Sequence, residues 1–208
     1  MNKLLLIFLI ISISACSILL KHDPEANRKL LEANLEKWKS FRIDGIIEIN
    51  HNQYSLRKNF SMRKNPAAVR ADIFDTGLLG LRPTPFLSVY MDTLIYLRDQ
   101  EKTGLTILTP EELIADYPYL NILQAIDLLD DHQNEIVKNK KITQENVSFV
   151  FNSKMELIEI DYLEKDIRIL LEYHHDLSKI TLKEQNNDLV NIHIDKITFS
   201  EIEIRRLD

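Results

Sequence analysis

The feature that most limits how this chain can fold is a change of hydrophobic period near residue 40. Before it, Leu30, Leu31, Leu35 and Trp38 recur at helical spacing, with Glu25, Arg28, Lys29, Glu32, Glu36 and Lys37 mostly elsewhere on the wheel. Asp23-Pro24 reads as an N-cap followed by proline at the first helical position, which predicts an amphipathic helix over 24–39. From Phe41 the period is two. Phe41, Ile43, Ile47 and Ile49 alternate with Arg42, Asp44 and Glu48, with Ile46 out of pattern. Tyr54, Leu56, Phe60 and Met62 alternate with Ser55, Arg57, Asn59 and Ser61, and Val69, Ala71 and Ile73 alternate with Arg70 and Asp72. Such alternation marks half-buried strands, and the short polar connectors His51-Asn52-Gln53 and Lys64-Asn65-Pro66 make them antiparallel neighbours.

The same reading predicts a further strand pair around 86–98 and 104–109, then strands over 147–151, 155–163, 166–174, 178–184 and 190–204. Residues 110–130 read differently, as two short helices. Thr109 caps, Pro110 starts, and Glu111 and Glu112 sit in the first turn, where the helix dipole favours them. The run Lys138 to Lys141 reads as a solvated hairpin tip. The order is therefore helix, strand run, helical insert, strand run.

The N-terminus reads as an address. Lys3 precedes the apolar stretch Leu4 to Ile11, followed by Ile13-Ser14-Ala15-Cys16. This resembles the lipobox of bacterial lipoproteins: a branched aliphatic, two small residues, then the cysteine that receives diacylglycerol. It predicts a signal peptide over 1–15, an acylated tether over 16–23 and one folded domain over 24–208. Two other readings stay open. Cys16 could be a buried thiol, and the uncharged stretch Leu4 to Leu20 is at the lower bound for an uncleaved membrane anchor. In the lipoproteins this resembles, Asp after the cysteine favours inner-membrane retention; Ser17 implies sorting to the outer membrane, facing the periplasm.

Composition removes several functions. The net charge of -6 excludes a charge-driven nucleic-acid binder and argues against a polybasic membrane binder. One cysteine excludes an intrachain disulfide and a Cys-based zinc site, and the 4 glycines form no phosphate loop. His174 and His175 are adjacent, so on a strand they point to opposite faces and cannot share a metal. Glu111-Glu112 and Asp130-Asp131 sit at helix ends, and no serine lies in a nucleophile-elbow context. The expectation is a non-enzyme without metal or cofactor.

Behind a lipobox, that element order resembles the LolA/LolB lipoprotein-localisation superfamily. The residues that carry the resemblance are Trp38-Lys39-Ser40-Phe41-Arg42-Ile43-Asp44-Gly45, Tyr54-Ser55-Leu56-Arg57-Lys58-Asn59-Phe60, Ala71-Asp72-Ile73-Phe74-Asp75-Thr76-Gly77-Leu78-Leu79-Gly80 and the insert Thr109 to Leu129. The resemblance implies an α+β fold: a curved antiparallel sheet, an incomplete β-barrel, with an N-terminal helix and a two-helix lid inserted mid-chain. It also implies an exposed leucine in the loop after the third strand that helps insert cargo. Leu79 matches, with Leu78 (where a proline is usual) and Leu81 as neighbours; the alternative is that Leu78 and Leu81 finish a strand and pack inside.

Such a sheet can shelter acyl chains, each buried CH₂ contributing about 0.8 kcal/mol. The candidate lining residues are Ile47, Ile49, Leu56, Phe60, Ile73, Leu94 and Tyr96; the lid candidates are Leu113, Tyr117, Leu120, Leu123 and Ile126. The bland alternative is that these positions are filled core. The expected function is an outer-membrane-anchored periplasmic lipoprotein, a monomer, that takes acyl chains of lipoproteins or another amphiphile, with a periplasmic carrier protein as a possible partner and no nucleic acid. The rival is a non-catalytic assembly lipoprotein that docks a protein partner.

Overall fold

The computed structural model describes residues 23–51, 54–75, 84–100, 104–112, 126 and 128–207. Helix α1 (Pro24–Lys39) starts as its sequence dictates. The Asp23 carboxylate accepts from the Glu25 and Ala26 backbone N–H groups at 3.0 and 3.4 Å, with proline in the first turn. Leu31, Leu35 and Trp38 form its buried face, whereas Leu30, expected on that stripe, is 47% exposed. Ser40 turns the chain into extended backbone and donates to the Ser200 carbonyl at 2.6 Å.

Among the described residues twelve strands follow: β1 (Phe41–His51), β2 (Tyr54–Lys64), β3 (Val69–Phe74), β4 (Pro85–Met91), β5 (Ile95–Asp99), β6 (Leu105–Leu108), β7 (Lys141–Gln144), β8 (Val147–Phe151), β9 (Leu157–Tyr162), β10 (Ile167–Tyr173), β11 (Leu177–Glu184) and β12 (Asn187–Thr198). They form one antiparallel sheet in the order β6-β5-β4-β3-β2-β1-β12-β11-β10-β9-β8-β7. Two six-strand meanders are thus joined by the pairing of β1 with β12, and the sheet is open between β6 and β7. The chain between Leu108 and Lys141 links the two free edges. The α+β class, with an unclosed sheet and an N-terminal helix, is the architecture the sequence predicted.

A sheet this wide does not stay flat, and bulges are where it bends. The ladders shift register at Asp44/Gly45, Ile73/Phe74, Val150/Phe151, Glu172/Tyr173 and Leu182/Lys183. At the first, glycine is required: a Cβ on Gly45 would lie 2.0 Å from the His193 carbonyl oxygen. The alternation of β1 itself runs unbroken through Gly45, so Ile46 belongs to the outer face and is half-buried there. The β11–β12 hairpin turns on Gln185 and Asn186, both at positive φ, as a two-residue turn demands.

Several sequence expectations are corrected. The stretch 86–98 is two strands, because Asp92 accepts from the Leu94 N–H at 2.9 Å and reverses the chain. Lys138 to Lys141 is no hairpin tip. It spans the end of helix α2 (Gln133–Asn139), whose left-handed cap Lys140 bonds back to Ile136 at 2.7 Å, and the start of β7. A 3₁₀ turn (Leu128–His132) precedes α2. The final strand stops at Thr198 rather than 204. The tail that follows crosses the outer face: Asn65 donates to the Ile202 carbonyl and Arg70 to the Arg205 carbonyl, both at 3.0 Å. There Leu207 is buried with Ala68, Tyr90 and Tyr96 in a second, smaller cluster.

Candidate functional site

The inner face of the sheet is read most simply along its cross-strand rows. One row runs Ile142, Phe149, Ile160, Ile169, Leu182, Val190, Ile49, Leu56, from β7 to β2. Partners directly opposite on such a face have Cβ atoms ~4.5–5.5 Å apart, so the row is a continuous apolar strip. Its burial changes along its length. Ile142, Phe149, Ile160, Ile169 and Leu182 are 2, 0, 1, 8 and 8% exposed, while Val190, Ile49 and Leu56 are only half-buried. A second row, Ile197, Ile43, Met62, Ala71, Val89, Leu97, continues from β12 to β5. Within it Ile43 is fully buried and the other five are half-buried.

The cause of the filled end is visible. Helix α1 lies there: Asn34 Nδ2 donates to the Lys154 and Met155 carbonyls, both at 3.0 Å, and Trp38 meets Phe41 edge-on at 5.6 Å. Leu129, Ile136 and Val137, from the 3₁₀ turn and α2, complete that core with Leu31 and Leu35. Two tyrosines mark the same end. Burial pushes Tyr162 up to about 12. Burial, then the nearby Glu156 charge, raises Tyr173, whose hydroxyl donates to the Leu157 carbonyl at 2.9 Å.

The sequence-derived lining residues divide into three groups. Ile47, Phe60 and Ile73 are 7, 6 and 9% exposed and belong to the main core. Ile49 and Leu56 lie on the same face, half-buried. Leu94 and Tyr96 do not join them. On β5 the inner-face residues are Ile95 and Leu97, so Tyr96 points outward, opposite Tyr90, and packs with Leu94 against the C-terminal tail. Tyr96 is held there by Arg206, which bonds its hydroxyl and sits 4.1 Å above its ring. Of the lid candidates, Ile126 is 4% exposed within the main core. Leu113, Tyr117, Leu120 and Leu123 lie outside the described residues, as do Cys16, Leu78, Leu79 and Leu81 and the whole of 1–15.

Sequence reasoning missed Met62, Val89, Leu97, Val190, Ile192 and Ile194 as inner-face residues. Their alternation was legible; the face was not, because it depends on register carried across each hairpin. Charged residues also belong to this face by register: Lys58 opposite Ile47 and Lys64 opposite Phe41 on β2, and Asp99 opposite Leu87 on β5. Lys58 pairs with Asp75 and lies 5.4 Å above the Phe86 ring, so its charge is neutralised within the protein. Among the described residues no three His, Cys, Asp or Glu side chains converge to hold a metal. The cross-strand rows offer mainly apolar contact, an arrangement suited to burying hydrocarbon.

No protein-family model matches the chain, and no curated protein does. Among solved structures it is similar to a LolA superfamily protein from Nitrosomonas europaea, with 7% identity, a TM-score of 0.45, and coverage of 86% of this chain and 95% of that one.

Proposed function

We propose that this protein is a lipoprotein, acylated at Cys16, held in the outer membrane facing the periplasm, that shelters acyl chains of lipoproteins or another amphiphile on the half-covered apolar face and passes them to the membrane. The observation that carries this reading is the apolar row Met62–Ala71–Val89–Leu97, half-buried on the inside of an open sheet. A soluble protein that keeps such a strip inside rather than on its surface has an apolar contact to make there. About eight methylenes laid along it would contribute about 6 kcal/mol, enough for reversible capture. The neutral Lys58–Asp75 pair at the rim suits the uncharged ester and amide groups that join acyl chains to a lipoprotein. On this reading the protein does no chemistry, and a periplasmic carrier that delivers acylated cargo is its natural partner.

The test is titration of the chain from Ser17 onward with an environment-sensitive fatty-acyl probe. Saturable binding, displaced by a long-chain lysolipid and weakened about tenfold in Val89→Trp with circular dichroism unchanged, supports the reading. Unfilled but silent, with no binding at all, the face is a rigid wall, and a docking lipoprotein with a packed core is the better account.

A further inference from the structure

Helices α1 and α2 run antiparallel: Lys39 at the end of α1 pairs with Asp130 at 3.0 Å, while Arg28 near its start donates to Asn134 of α2. The C-terminal end of α2 therefore lies beside the beginning of α1. The two together wall a hollow of about 360 Å³ lined by Pro24, Glu25, Arg28, Asn134, Val137 and Lys138. Beyond it the left-handed cap at Lys140 (φ 52) turns the chain into β7, so that Lys140 and Lys141 follow within three residues of Lys138, which lines the hollow with Arg28. Lys138 and Lys141 are exposed and Lys140 half-buried. Among the described residues none of the three lysines makes an ion pair or a side-chain hydrogen bond. The acids nearby are Asp23, engaged in capping α1, and the exposed Glu25 and Glu135.

This pole is also where the chain leaves for Cys16. Asp23 lies seven positions after Cys16, and at ~3.3–3.6 Å per step the chain between them reaches at most about 25 Å. An acylated Cys16 thus holds the start of α1, and the cations beside it, close to the lipid surface. We infer that Arg28, Lys138, Lys140 and Lys141 form a docking surface for the anionic phospholipid headgroups of the membrane in which the anchor sits, with the hollow between α1 and α2 taking a phosphate. This inference rests on the acylation of Cys16 proposed above. The net charge of -6 does not oppose it, because at physiological ionic strength charges are felt over about 8 Å, and only the local patch faces the lipid. Docking would fix the orientation of the domain, directing one pole of the sheet to the bilayer instead of leaving it to swing on its tether. Each lysine near such a surface strengthens binding by roughly fivefold.

The experiment uses the full chain, purified with its native N-terminus and reconstituted in vesicles of phosphatidylcholine alone or mixed with phosphatidylglycerol. Amide hydrogen exchange over 133–144 is expected to slow several-fold only in the vesicles with phosphatidylglycerol, to return at high salt, and to lose the difference in the triple variant Lys138→Gln, Lys140→Gln, Lys141→Gln, with exchange in β9 and β10 unchanged. Identical exchange in both vesicles, or a difference that survives the triple variant, overturns the inference. The intact mass of the same preparation separates the two claims. An unacylated chain that still shows the lipid-dependent slowing keeps the docking surface and removes the anchor; an acylated chain without it does the reverse.

Discussion

The row Ile142–Phe149–Ile160–Ile169 on β7 to β10 and the row Met62–Ala71–Val89–Leu97 on β2 to β5 are alike as sequence. Both are aliphatic-rich inner-face residues of a six-strand meander, alternating with polar neighbours. They differ in what packs on them. The first lies under α1, the 3₁₀ turn and α2, and its members are at most 8% exposed. The second is half-buried from end to end. The same alternation thus has two outcomes: the β7–β10 row is filled core, whereas the β1–β6 meander sends Ile43, Ile47, Phe60 and Ile73 into that core and leaves the row Met62–Ala71–Val89–Leu97 only half-covered.

Substitutions can break this comparison. Phe149→Ala, at the fully covered end, is expected to cost about 3–5 kcal/mol in urea unfolding, the ordinary range for a buried aromatic, whereas Val89→Ala is expected to cost under about 1 kcal/mol. Equal losses would mean that both rows are filled core. Next in size is the hinge between the meanders. Gly45→Ala places a methyl group 2.0 Å from the His193 carbonyl, so the β1–β12 seam must shift, at a cost of about 2–3 kcal/mol. A smaller loss would show that the seam is pliable and the two meanders are less tightly coupled than the ladder implies.

The filled end should also carry the alkaline sensitivity. Burial raises Tyr162 to about 12 from its ordinary 10.0, so the folded state favours the neutral phenol. The stability this group contributes is therefore present in full below about pH 10 and is lost as pH rises through about 12. Denaturant midpoints measured across that window should fall in the wild-type chain and fall less in Tyr162→Phe; parallel curves would show that Tyr162 is not the sensor. The smallest effect is at the cap that seats α1 over the filled end. Asp23→Ala removes the acceptor for two backbone N–H groups and should lower stability by about 1 kcal/mol, while leaving acyl-probe binding on the other meander unchanged.

Helix α1 was legible in the sequence to the residue, because its signals are local: the Asp23 carboxylate, the proline after it, and the spacing of Leu31, Leu35 and Trp38. The capping at the insert was legible for the same reason. Thr109 N–H donates to the Glu112 carboxylate at 2.9 Å, and the Glu112 N–H donates back to the Thr109 hydroxyl at 3.4 Å. The insert's exit was not. Gln133 to Asn139 is a short polar stretch with only Ile136 and Val137 buried, too brief for helical periodicity to register. Of the candidate site, the β1–β3 members were read on the correct face. Leu94 and Tyr96 were not, since a turn at Asp92 intervened and a one-residue change of phase moves a side chain across the sheet.

Taken alone, the sequence determined the elements and their antiparallel order, because capping residues, alternation and short connectors act within a few residues of one another. It also carries the Cys16 motif on which the anchoring proposal stands. Tertiary structure alone decided which cross-strand rows are covered, where Gly45 lets β1 and β12 meet, and that residues 199–207 leave the sheet to lie across its outer face. It also brought Lys138 beside the first turn of α1. Those outcomes depend on contacts between residues more than a hundred positions apart in the chain, such as Asn34 with Lys154 and Arg70 with Arg205, and local pattern holds no record of such partners.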